Sequence, residues 1–339
     1  MKDDFVGAQG MSATRCTVVI GMAAFFGYHM PNYTYPGVPD DRLFDSVVER
    51  VQAAEAAGFD LVTVMDHFYQ IRGVGPETNP MLEAYAMLAA LATRTSRVKL
   101  GTLVTGVTYR NPAVLAKIVT TLDVISGGRA VMGIGAAWND SEAAGYGIYF
   151  PPIGERMDRL EEAVTIIKLM FTEDRPSFQG RHFTIDRALN SPRPIQAGGP
   201  KILIGGGGEK RTLRILARHG DIGHWFGGPL EELKRKKGVF ERHCEVEGRD
   251  PSEVMLTIGM NIVLVENMGQ AEAAVARVPE PRRAMVSVAT PSEAAEMLRP
   301  FMDAGFGGFT LSNMTQPDAE SIALAGELIK LVRGSRVAA

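Results

Sequence analysis

Eight short apolar runs recur along this chain, and each is followed by a longer stretch with apolar residues at helical spacing. The runs are Phe25–Pro31, Asp60–Asp66, Val98–Val104, Arg129–Gly135, Lys201–Gly205, Asp221–Trp225, Val254–Val265 and Gly308–Ser312. Many are rich in β-branched residues and nearly continuous in hydrophobicity, the pattern of strands covered on both faces. Between them lie the amphipathic stretches Asp41–Ala57, Met81–Thr95, Pro112–Ser126, Glu155–Phe171, Glu209–His219 and Pro229–Glu247, with Pro291–Ala304 and Pro317–Val332 near the C-terminus. Alternation of strand and helix predicts a parallel sheet. Eight repeats predict an α/β fold of the closed (β/α)8 TIM-barrel type. A doubly wound open sheet is the rival arrangement.

Local chemistry marks several boundaries. Asp40 or Asp41 can cap the first helix. Gly58 stands where that helix should stop. Asn111-Pro112 sets a cap residue before a proline at the first helical position. Ser126-Gly127-Gly128 ends the following helix. The stretch from Thr172 to Pro200 contains Pro176, Pro192, Pro194 and Pro200 and is too long for an ordinary loop. It reads as an insertion over the C-terminal mouth of the barrel. Val265 to Thr290 is irregular too, with a short helix around Gln270–Arg277. Residues 25–335 read as one barrel domain. Residues 1–24 supply no barrel element and are expected to form a disordered leader, or to reflect a start at Met11 or Met22.

Composition narrows the classes of function. The chain has 339 residues and is 45% hydrophobic, enough for one large domain or two ordinary ones. A formal charge of −3 gives no positive field for nucleic acid or an acidic membrane surface. The two cysteines, Cys16 and Cys244, lie far apart without metal-ligand spacing, which fits a reducing cytoplasm. No apolar run reaches the length of a membrane span. Val18 to Phe26 lacks the basic flank of a signal peptide. The expected partner is a small-molecule substrate, and the outer helices of a barrel suit a homodimer.

Active sites of such barrels lie at the C-terminal ends of the strands. The second strand ends in Asp66-His67-Phe68. A lone histidine more often closes a strand, but at this end an imidazole is a candidate acid or base near neutral pH. The third strand carries Leu100-Gly101-Thr102-Leu103-Val104-Thr105-Gly106, where glycines permit a kink or a bulge. After the fourth comes Gly133-Ile134-Gly135-Ala136-Ala137-Trp138-Asn139. Trp138 stands where a dinucleotide fingerprint has its third glycine, so a Rossmann reading is poor. The fifth strand runs through Gly205–Gly208 into Glu209-Lys210-Arg211 and a helix. Glycine amides before a helix make a natural phosphate site, with Lys210 and Arg211 adding charge. His29 and His224 can face the barrel mouth or interior. His182 and Lys234–Lys237 read as solvated.

Taken together these motifs resemble the luciferase-like monooxygenase superfamily, in particular its F420-dependent branch. The resemblance covers roughly residues 25 to 333. It is carried by Phe26-Gly27-Tyr28-His29-Met30-Pro31-Asn32, Ala56-Ala57-Gly58-Phe59-Asp60, Asp66-His67-Phe68, Arg110-Asn111-Pro112-Ala113, Ser126-Gly127-Gly128-Arg129, Gly133 to Trp138 and the Gly205–Gly208 turn. It implies that Leu103-Val104 forms a bulge, often a non-prolyl cis peptide, behind a deazaflavin ring. It implies that Asp66, Thr102, Gly133, Gly135, Trp138 and Asn139 line the cofactor cleft, that Gly206, Gly207 and Gly208 bind the phosphate, and that His67 is catalytic. Two departures bear on substrate. The superfamily's sugar-phosphate dehydrogenases have a glutamate where Trp138 stands, and a tryptophan near Ile71. The function implied is hydride transfer between coenzyme F420 and a small organic substrate. The alternatives are an FMN-dependent monooxygenase using oxygen, and a non-catalytic flavin or F420 carrier.

Overall fold

Each apolar run contributes a strand to one parallel sheet that closes on itself. In the computed structural model, which describes residues 23–312 and 319–334, the strands are β1 (Phe25–Met30), β2 (Leu61–Val64), β3 (Lys99–Thr102), β4 (Ala130–Gly135), β5 (Lys201–Gly205), β6 (Ile222–Phe226), β7 (Met255–Met260) and β8 (Gly308–Ser312). Their order is 3-2-1-8-7-6-5-4, and Leu100 and Gly101 of β3 pair with Ala130 and Val131 of β4 to complete the ring. Closure excludes the open doubly wound sheet. Residues 1–22 of the leader and the start of the last predicted helix, at Pro317, lie outside the described residues. Ala24 is no disordered leader but is buried in the core, its carbonyl accepting from Arg333.

Eight helices cover the ring: α1 (Leu43–Ala57), α2 (Ala84–Ala92), α3 (Pro112–Ser126), α4 (Ile153–Thr172), α5 (Thr212–His219), α6 (Leu230–Glu247), α7 (Pro291–Asp303) and α8 (Ala319–Gly334). None among the described residues is long and apolar enough to cross a membrane. In α3 the Asn111 side chain accepts from the Ala113 amide at 2.9 Å, Pro112 opens the helix, and Leu115, Ala116, Val119 and Leu122 are buried. That spacing is the core stripe of a 3.6-residue period. At α1 the expected cap is absent. Asp40 and Asp41 instead lie in a 3-10 turn that precedes the helix, and Arg42 is the cap residue.

Two readings of the sequence need correction. The run Val254–Val265 is not one strand. Ile262–Leu264 leaves the barrel and pairs in parallel with Ser287–Ala289. Both halves are apolar because both are buried, so hydropathy could not show the break. The Thr172–Pro200 insertion does not cover the mouth. Its short hairpin (Phe178–Gln179 with Thr184–Ile185) lies along the outside of α4, where the Glu162 carboxylate accepts from the Arg181, His182 and Phe183 amides. The rest passes beneath the barrel, held by Asp123 at the end of α3 through the Ile195 and Gln196 amides. The mouth is covered instead by the segments after β2, β4 and β7. Arg282, from the last of these, donates to the Gly73 carbonyl in the first.

Strand alternation sorts the lumen into layers. Leu61, Val131, Leu203 and Ile222 form a buried aliphatic layer low in the barrel. One step up each strand, towards the mouth, the same faces carry Thr63, Gly133, Gly205 and His224. The lower layer is a packed floor, and the upper one is polar and small.

Candidate functional site

His67 follows β2 at the mouth, and its imidazole is not a simple strand terminator. Nδ1 lies 3.0 Å from Oε1 of Glu142, whose side chain is fully buried on a short helix, Asp140–Gly145. The other carboxylate oxygen accepts from the Phe68 amide at 2.7 Å and the Tyr69 amide at 3.0 Å. The Tyr109 hydroxyl donates to Oε1 as well. Burial pushes the Glu142 carboxyl up, yet the bonds from His67, Tyr109 and the Tyr69 amide outweigh it and hold it below the usual glutamate range. Glu142 is therefore an anion and an acceptor only. When the imidazole carries a single proton, this acceptor fixes it on Nδ1 and leaves the lone pair on Nε2. Trp138 sets its ring edge against this imidazole, with centroids 5.4 Å apart, while remaining 58% exposed.

Asp66 is 2% exposed and turns away from the mouth's open space. Arg110 grips it with two nitrogens, at 2.6 and 3.0 Å, and reaches Glu83 at 2.6 Å. Burial pushes the Asp66 carboxyl up against the pull of Arg110. Burial also opposes the Arg110 charge, but Asp66 outweighs it and raises the guanidinium above its ordinary value. The bidentate geometry favours the ionised pair. Asp66 therefore anchors the start of the His67 loop to the start of α3.

Leu103-Val104 is a cis peptide, at the place where the resemblance implied one. The Val104 side chain points into the space left by three glycines. A Cβ at Gly205, Gly135 or Gly133 would approach its methyls at 2.8, 3.0 and 3.3 Å respectively. At Gly133 a Cβ would also collide with the Thr102 carbonyl, so only glycine fits there. Thr102 is buried and donates to the Gly133 carbonyl at 2.9 Å, so its hydroxyl ties β3 to β4. Asn139 is 8% exposed and accepts from the Ser141 hydroxyl at the head of the short helix.

The Gly205–Gly208 turn lies at the same rim. Gly206 has φ +109°, a conformation open chiefly to glycine, and its amide donates to the His224 carbonyl at 2.9 Å. The amides of Gly207 and Gly208 have no acceptor among the described residues. Of the two predicted cations, Arg211 is engaged elsewhere. Arg211 turns back to Asp158 at 2.6 Å and to the Gly154 carbonyl. Lys236, from the run expected to be merely solvated, pairs with Glu232 at 3.0 Å and places Nζ 3.6 Å from where a Gly207 Cβ would be. His182 was expected in solvent as well, but it packs against α4 near Glu155 and Asp158 with its side chain 9% exposed.

The fold thus brings His67, Trp138, the Val104 bulge and the glycine turn to one rim. It assigns Asp66, Thr102 and Asn139 to holding that rim together. Glu142 and Tyr109 escaped notice in the sequence. The signal for Glu142 was weak: an acid in the first turn after the fourth strand's glycines, in a segment that carried no clear helical period.

A family profile described as luciferase-like monooxygenase matches residues 21–328. The chain is 34% identical over 221 residues to an F420-dependent glucose-6-phosphate dehydrogenase of Kineococcus radiotolerans, an alignment spanning 64% of each protein. It is 28% identical over 298 residues to the protein of that name from Kribbella flavida, covering 78% of this chain and 87% of the relative. Among solved structures, an F420-dependent secondary alcohol dehydrogenase with an F420–acetone adduct superposes with a TM-score of 0.77 at 23% identity, covering 92% of this chain and all of that one. EDTA monooxygenase from Chelativorans sp. BNC1 reaches 0.80 at 14% identity, over 93% and 94%. At such identities these structures show the fold.

Proposed function

The chain belongs to the luciferase-like monooxygenase family, and from that premise we propose that it is an F420-dependent oxidoreductase acting on a small organic substrate. The observation that carries this reading is His67 held by the buried Glu142 at the rim, with Nε2 left for proton transfer. Relatives named as F420-dependent dehydrogenases support it. The residues present fit such a cofactor. Val104 and its glycine bed offer an apolar ledge for a flat ring, while the Gly207 and Gly208 amides with Lys236 offer donors and charge for a phosphate. Bound F420 supplies two-electron hydride chemistry.

The chain's own residues do the rest. Val104 orients the ring face. Trp138 walls the space above His67 and limits water. His67 Nε2 takes the hydroxyl proton of a substrate being oxidised, or returns it in the reverse direction. Glu142 steadies the imidazolium that results. Trp138 and Ile71 stand where sugar-phosphate dehydrogenases of the superfamily have other residues, so the substrate proposed is not a sugar phosphate. A homodimer is also part of the proposal. Val114 and Ile125 share one face of α3 and are 54% and 44% exposed, a surface that a second copy can cover. Titration of the purified protein with F420 and with FMN tests the cofactor, and F420 should bind far more tightly. Equal or tighter FMN binding overturns the assignment. Sedimentation at monomer mass rejects the dimer.

A further inference from the structure

The proposed chemistry leaves unused a second set of polar groups in the lumen. Ser312, His29 and Thr63 form one register row and His224 and Thr257 another, all on the face that carries the aliphatic floor below them. A chain of hydrogen bonds fixes the tautomer of His224. The Thr257 hydroxyl donates to the Gly223 carbonyl at 3.0 Å, which commits its only proton. Its 3.0 Å bond to His224 Nδ1 must then be donated by the imidazole. Burial, and secondarily His29, push the His224 pKa down to about 3, so the ring is neutral and Nε2 carries a lone pair. No donor among the described residues reaches that nitrogen. It faces Gly259, where a Cβ would approach to 3.3 Å. Ser312, which pairs in register with His29, has a buried hydroxyl without a partner among the described residues. Groups of this kind, on a side chain only 6% exposed, call for a ligand atom that brings a proton and no charge.

We propose that the lumen is a subsite for an uncharged hydrogen-bond donor, an O–H or N–H group received by His224 Nε2. The proposal rests on the F420 reading and narrows it: the substrate is a neutral hydroxyl compound. A neutral imidazole offers nothing to a phosphate or a carboxylate. The imide N–H of a bound ring presents the same donor chemistry, and the experiment separates the two sources.

Protein labelled with ¹⁵N-histidine reports directly on the lone pair, because accepting a hydrogen bond moves the Nε2 resonance upfield. F420 is added first, with binding followed independently by fluorescence. Cyclohexanol, 2-propanol and glycerol are then added to the loaded protein, or to free protein if F420 does not bind. A saturable upfield shift with an alcohol supports the substrate assignment. A shift with F420 alone supports the subsite and assigns its donor to the ring, overturning the substrate class. No shift with F420 or with any alcohol overturns the subsite. A shift with inorganic phosphate overturns its neutral character. His224→Asn keeps a donor for Thr257 but lacks Nε2, and should weaken alcohol binding on the order of tenfold, the worth of one hydrogen bond. Gly259→Ala sets a methyl against Nε2 while keeping the histidine itself, and should do the same. Undiminished binding in both variants rejects the proposal.

Discussion

Replacing Glu142 by Gln keeps the shape of a fully buried side chain and removes its charge. The carboxylate accepts four hydrogen bonds, two at each oxygen. An amide has one oxygen, which the Phe68 and Tyr69 amides can occupy because neither can do anything but donate. The NH₂ then faces His67 Nδ1 and Tyr109. The tyrosine hydroxyl can turn and accept, but neutral His67 must accept through Nδ1 and move its proton to Nε2. The substitution thus inverts the tautomer of the reactive nitrogen. Loss of the charged acceptor should cost about 2 kcal/mol of stability, since hydrogen bonds to charged groups are worth ~1.5–3 kcal/mol and part is regained. Turnover should fall ~10²–10⁴-fold, the range for a misplaced acid or base. Denaturant unfolding measures the first number, steady-state kinetics the second, and ¹⁵N spectra of the histidine side chains the tautomer. Glu142→Asp, which is shorter but still acceptor-only, should retain the Nδ1–H tautomer. If Nδ1 remains protonated in Glu142→Gln and turnover stays near wild type, Glu142 does not position His67.

Three further outcomes are expected. His67→Gln should bind F420 with little change while turnover falls ~10²–10⁴-fold, and normal turnover across pH would remove His67 from proton transfer. Gly207→Val should lower F420 affinity in a fluorescence titration by displacing Lys236 and screening the free amides, and unchanged affinity would make the turn a linker. Burial lowers the pKa values of His29, His219 and His224 from the ordinary 6.5 to about 4, 4 and 3, so on acidification the unfolded chain takes up these protons first. Their contribution to stability is complete above pH 6.5 and is lost as pH falls towards 4. Each histidine adds up to ~1.4 kcal/mol per pH unit. Unfolding free energies should drop between pH 7 and pH 5, less steeply in His224→Asn, and a flat profile would show that these imidazoles are not held neutral.

The barrel was legible because its signal is repeated. Eight strands and eight helices each bury a stripe, and hydropathy reports burial directly. The rim was legible where chemistry interrupts a pattern, as at Asp66-His67 and Gly205–Gly208. Three other features were not. The hairpin at Phe178–Gln179 is short and exposed, and its place depends on the distant acceptor Glu162. Glu142 lies 75 residues from His67, and nothing local in the sequence marks an acid as buried. Arg211 adjoins the glycine turn in sequence, whereas Lys236 lies in a run that reads as solvated. Which one meets the glycine turn was decided by Asp158, 53 residues from Arg211, which claims that guanidinium.

The aliphatic layer of Leu61, Val131, Leu203 and Ile222 gives the molecule a closed end. Under the proposed function, cofactor and substrate share one doorway for arrival and departure. Whatever lies deeper enters first and leaves last, so the order of traffic is set by depth and need not be set by relative affinity. Four ordinary side chains on the floor thereby act on the kinetic sequence of an enzyme whose reacting groups they never touch.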